Sequence, residues 1–277
     1  MSIRTFWLAL ALAALPAAAP LPTDSGANSA PMGYSDLADL ALAAPVAAHV
    51  RVARAVAVRN EQAAGLRPGT ARLYVEAEVI ALIRSPGPLP SRLAYVVDLP
   101  ADSRGKPPKL RKGAEFLLLA AAAVRPGEVR LIAPDAQIPY SPEAAERLRA
   151  IVREAGGAAA PPRITGIGKA FHVPGAIPGE SETQIFLQTA DQRPISLTVL
   201  RRPGQTPQWA VALGEIVDEA AAAPKPGTLL WYRLACTLPP RLPAQSLADV
   251  DPAQVPAVEA DYRLVVDQLG PCGRTRR

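Results

Sequence analysis

Residues 72–84 read RLYVEAEVIALIR, and their alternation decides the fold class. Leu73, Val75, Ala77, Val79 and Ala81 fall on one side at period two, with Tyr74, Glu76 and Glu78 on the other. A half-buried β-strand has that period. Glu76 and Glu78 then lie on a solvated strand face rather than in a catalytic pair. The pattern extends outward. In VRVARAVAVR (50–59) Val50, Val52, Val56 and Val58 share a face. RLAYVVDLP (92–100), EFLLLAAAAV (115–124) and EVRLIAP (128–134) follow, the last two joined by the turn RPG at 125–127. Roughly five strands result.

Helical patterns flank these strands. In YSDLADLALAAP (34–45), Ser35 is placed to cap a short helix with Leu37, Leu40 and Ala41 on one side. After the strands, Ser141 is an N-cap and Pro142 stands at the first helical position, where its missing N–H is harmless. Ala144, Leu148, Ile151 and Val152 line one face of that helix, and Gly156-Gly157 ends it. AGGAAAPP (155–162) reads as a linker.

A short helix, five strands including KGAEFLLLA (112–120) and a helix after the last strand resemble a netrin-type module. Such modules are OB-fold barrels, found also in tissue inhibitors of metalloproteinases. The resemblance covers roughly residues 35 to 155. The cysteines that mark that family are absent from this region, as is its N-terminal inhibitory cysteine. The resemblance therefore implies the fold and not the inhibition. The whole chain resembles exported proteins of alphaproteobacteria, a likeness that brings no activity with it.

Beyond the linker, ITGIGKAF (164–171), TQIFLQT (183–189), ISLTVLRR (195–202), QWAVALGEIV (208–217) and TLLWYRLAC (228–236) read as further strands. In the last of these, Leu230, Tyr232, Leu234 and Cys236 share a face. DPAQVPAVEADYRLVVDQLGPC (251–272) reads as a helix, with Val258, Tyr262, Val265 and Leu269 recurring on one side. The expected fold is mainly β with a few helices, an α+β protein of two small β-rich domains. They span 35–157 and 158–277, and the first is an OB-like barrel with a closing helix.

The first residues bear on the compartment. MSIR supplies a positive start, TFWLALALAAL an apolar run and PAAAP small residues for cleavage. Residues 1–19 read as a signal peptide, with an uncleaved anchor as the alternative, and 20–34 as a flexible leader. A periplasmic or secreted protein is expected, touching a membrane only through an uncleaved signal. In that setting Cys236 and Cys272, the two cysteines of the chain, read as a disulfide pinning the terminal helix to the end of a strand. Two buried thiols are the alternative. The net charge of +5 favours weak attraction to acidic surfaces and no more.

FHVPGAIPGESETQIFL (171–187) is the densest polar cluster. Its Gly179 and Ser181 begin a nucleophile-elbow motif, but Thr183 replaces the second glycine and a strand follows. No catalytic residue is assigned. His172, Glu180, Ser181 and Glu182 are ligand candidates. His49 lacks local partners and reads as structural. A second interaction candidate is the basic loop RGKPPKLRKG (104–113), with Lys106, Lys109, Arg111 and Lys112. It suits an anionic surface, while export argues against nucleic acid. The tail GRTRR reads as a frayed basic end. No metal site or cofactor motif is present. The expected function is binding or protein interaction in the cell envelope, without catalysis. The alternatives are an envelope hydrolase using the 172–183 loop, or an inhibitor or assembly factor.

Overall fold

The computed structural model describes residues 32–214 and 222–276, apart from the side chain of Asn60. The signal-peptide reading, most of the leader and the end of the strand expected at 208–217 lie outside the described residues. The protein is α+β and mainly β, with two sheets. The elements are α1 (Tyr34–Ala43), β1 (Val46–Ala57), β2 (Thr70–Arg84), β3 (Arg92–Pro100), β4 (Glu115–Ala122), β5 (Val129–Leu131), β6 (Gln137–Pro139) and α2 (Pro142–Gly156). There follow β7 (Ile164–Pro174), β8 (Ser181–Thr189), β9 (Ile195–Arg201), β10 (Gln208–Ala212), α3 (Leu229–Ala235) and α4 (Val255–Leu269).

The first sheet has the order β3-β2-β1-β4-β5, with β6 also on β4. Its far edges meet. Ala94 of β3 bridges Glu128 in parallel, and the Ala94 N–H donates to Gly127 O at 2.9 Å. This nearly closes a barrel, which removes the exposed edges an open sheet would leave. Its core follows the alternation in the sequence: Leu73, Val75 and Ala77 oppose Val97, Tyr95 and Leu93, all buried. Tyr95 satisfies its hydroxyl on Gln137 Oε1 at 2.8 Å. The face expected for β1 holds only to Val52. A register shift between Val52 and Arg54 sets Ala55 opposite Val75 and turns Val56 to solvent. One extra residue in a strand reverses every later side chain.

The second sheet is an antiparallel meander, β10-β9-β8-β7. Its inner face, with Ile167, Ile185, Leu197 and Trp209, packs into a second core. That core also takes Leu37 and Leu40 of α1, Leu148 and Ile151 of α2, and Tyr262 and Val265 of α4. Ala47, Leu117 and Leu119 reach it from the outer face of the barrel. β4 is therefore buried on both faces, which explains its unbroken apolar run. The helix after the barrel puts its apolar stripe into this shared core, and the described residues from Met32 onward group as one compact unit.

Four local expectations are corrected. Residues 229–235 form helix α3, not a strand. Thr228 caps it, accepting from Trp231 N–H at 3.3 Å, and Glu154 of α2 accepts from Leu229 N–H at 2.8 Å. A short run apolar on nearly every residue carries no period to read, so the caps decide. The disulfide forms, joining Cys236 to Cys272, but it links the end of a helix to the segment after α4. Ser35 is not the cap of α1: Gly33 holds that position, and Ser35 is buried in the first turn. The GRTRR segment is docked through Arg276 on α1 and a neighbouring turn rather than frayed. Ser141 caps α2 as expected, accepting from Ala144 N–H at 3.1 Å.

Candidate functional site

The stretch 171–187 is the β7–β8 hairpin. At its tip Ile177-Pro178-Gly179-Glu180 makes a tight turn. Glu180 N–H donates to Ile177 O at 3.1 Å, and Gly179 takes φ of 86°. Proline before a positive-φ glycine is the chemistry of a type II turn. Gly175 N–H closes the tip on Glu180 O at 2.7 Å. A side chain at Gly175 would meet Glu180 Cγ at 2.4 Å, so only glycine fits there.

The pleat sends the hairpin's side chains to two faces. His172 and Thr183 are paired residues on the inner face. His172 Nδ1 lies 2.8 Å from Thr183 Oγ1. The Thr183 hydroxyl donates to Asp261 Oδ2 of α4, and Arg201 Nε donates to Asp261 Oδ1 at 2.5 Å. Thr183 has one proton, and the carboxylate takes it. Its oxygen therefore accepts from His172 Nδ1–H. Thr183 and Asp261 are both fully buried. The hydroxyl is out of a substrate's reach, so the chain His172–Thr183–Asp261–Arg201 orients an imidazole and braces α4 against the sheet. An open groove of about 300 Å³ runs beside it, lined by Arg201, Arg263, Leu264, Asp267 and Gln268.

Asp261 escaped the sequence reading, although a signal was present. It sits between Val258 and Tyr262 on the buried stripe of α4, and a carboxylate there needs a partner. Glu182 pairs with Val173 on the outer face and Glu180 packs at the tip, so neither joins His172. Ser181 starts β8, opposite Pro174 and Arg201.

The outer face of the same sheet carries exposed apolar side chains among polar ones. Phe171 and Val173 of β7, Phe186 of β8 and Leu200 of β9 are exposed, as is Ile177 at the tip. Phe171 and Phe186 meet edge to face, with centroids 5.8 Å apart. Val173, the most exposed of these at 64%, lies one row from the Phe171–Gln184 pair, beside Glu182 and in line with Leu200.

The basic loop belongs to the barrel, between β3 and β4. Asp102 Oδ1 accepts from the N–H groups of Arg104 and Lys106, at 2.9 and 2.8 Å. Lys106, Lys109, Arg111 and Lys112 are exposed, and Leu110 anchors the loop on the barrel core.

His49 has partners after all, supplied by strand pairing rather than by sequence neighbours. It stacks on Tyr140 with ring centroids 3.9 Å apart, and Nε2 lies 2.8 Å from Glu115 Oε2. Hydrogen bonds from Arg51 and then His49 hold Glu115 below the usual carboxylate range. Among the described residues, no three of His, Cys, Asp and Glu gather to hold a metal.

Fold and site together define an α+β protein that joins a nearly closed β-barrel to a four-stranded sheet with exposed apolar side chains on its outer face. Compared with protein-family models and with curated proteins, the chain matches none.

Proposed function

We propose that this is an exported binding protein that holds a polypeptide partner on the outer face of β7, β8 and β9. The observation that carries the reading is the cluster of Phe171, Val173, Ile177, Phe186 and Leu200, all exposed on one face or its tip. Contiguous exposed apolar side chains rimmed by polar ones mark interaction sites, whereas scattered ones do not. Glu182 and Gln184, within this face, supply the polar contacts that set register with a partner. Export rests on the N-terminal residues and agrees with the disulfide. The basic loop at Lys106, Lys109, Arg111 and Lys112 adds an anionic contact elsewhere on the molecule. The hydrolase alternative is weaker, because the hydroxyl nearest His172 is buried and already gives its proton to Asp261.

A photo-crosslinking residue at Val173 tests the reading against one at Val124, which is fully exposed on the barrel. In intact cells, position 173 should give a discrete adduct that position 124 does not. Phe171→Ser with Phe186→Ser should abolish that adduct while leaving stability within about 1 kcal/mol, as expected of exposed sites. The same adducts from both positions would refute the assignment.

A further inference from the structure

The segment after α4 is bound as a peptide is bound by a receptor. Gly270 and Gly273 take φ of 70° and 67°, which brings Cys272 to Cys236 and lays residues 274–276 along α1. Arg274 forks onto Asp39, at 2.7 and 2.9 Å. The N–H groups of Thr275 and Arg276 both donate to Asp36 Oδ1 at 3.0 Å, and the Thr275 hydroxyl donates to Oδ2 at 2.5 Å. Arg276 forks onto Asp135, at 2.6 and 2.9 Å. Ser35 Oγ donates to the carbonyl of Cys272, and the Tyr232 hydroxyl to Asp39. Three carboxylates thus engage an Arg-x-Arg segment through both guanidinium forks and the intervening backbone. That geometry is specific to arginine and to register.

We propose that Cys272–Arg276 is a redox-released latch, and that the acidic cradle it fills is a receptor for Arg-x-Arg peptide segments. Both cysteines are partly exposed, so a dithiol reductant can attack the bond. The dithiol is oxidised to a disulfide, and the Cys236–Cys272 bond opens to two thiols, each taking a proton. The segment then hangs from α4 through Gly270 and Pro271 alone. It still competes for the cradle at an effective concentration on the order of millimolar. Reduction therefore loosens the latch, and a basic peptide from another polypeptide completes the exchange.

The full chain is compared oxidised and reduced. Amide hydrogen exchange at Thr275 and Arg276 should quicken at least about tenfold on reduction, while the amides of Gly175 and Glu180 at the β7–β8 tip, which open locally, stay unchanged. Equal protection in both forms overturns the latch. The cradle is probed with a fluorescent peptide SGRTRR and the reduced Arg274→Ala, Arg276→Ala double variant. Salt-sensitive binding at least about tenfold tighter than to oxidised wild type is expected. No binding by a variant of native circular dichroism overturns the receptor. If that variant does not fold, wild type decides: more peptide bound when reduced supports the receptor, and no difference refutes it.

Discussion

Thr183 stands between an imidazole and a buried carboxylate, and its single proton settles the direction of both hydrogen bonds. Thr183→Val keeps the shape and removes the hydroxyl, leaving Asp261 with Arg201 as its remaining partner. Stability should fall by about 1–3 kcal/mol, the cost of an unmet buried polar group. Thr183→Ser should recover most of it in urea unfolding. Asp36 carries the acid response. Burial works to raise its pKa, but hydrogen bonds from the Thr275 side chain and the Arg276 and Thr275 backbones, with the charge of Arg276, outweigh it and lower it. A carboxyl lowered in the folded state contributes stability above its unfolded value near pH 4. That contribution is lost as pH falls through the lower folded value. Asp36→Asn should melt lower than wild type at pH 7, and its melting temperature should fall less steeply between about pH 4 and pH 2.

At the scale of elements, caps decided what periodicity left open. Strands β2, β3 and β8 announce themselves because one face meets a core and the other meets water. α3 does not, since nearly every residue is apolar and its start is set by Thr228 and by Glu154 from α2. A second cap comes from outside its own helix. Arg84, at the end of β2, donates to the carbonyls of Ala41 and Ala44 at the end of α1. Burial lowers the pKa of this guanidinium, but the carbonyls it satisfies would otherwise be orphaned. Arg84→Met retains the stem and loses the donors. It should cost about 1.5–3 kcal/mol in urea unfolding. Ser141→Ala should cost less, about 1 kcal/mol, because only one N–H loses its cap.

At the scale of the molecule, one core gathers helices from both ends of the chain beneath the second sheet, and the disulfide closes the last 36 residues of separation over it. Replacing both cysteines by serine should lower stability by about 3–4 kcal/mol, by the loop entropy returned to the unfolded chain. Urea titration with and without reductant should give wild type the same difference. The sequence by itself determined the strands whose alternation is strict, the capped helix α2, the terminal helix and the cysteine pair. Each depends on neighbours two to four positions away, or on two residues of a rare type. Only the tertiary structure decided that the barrel nearly closes, that Val56 turns outward, and that His172 reaches Asp261 through Thr183 rather than Glu180 or Glu182. It alone seated Arg274 and Arg276 on Asp39 and Asp135. Those partners lie 78 residues apart for Thr183 and Asp261 and 235 for Asp39 and Arg274. Electrostatics and packing act through space, and no local pattern records which distant carboxylate a folded chain will bring within reach.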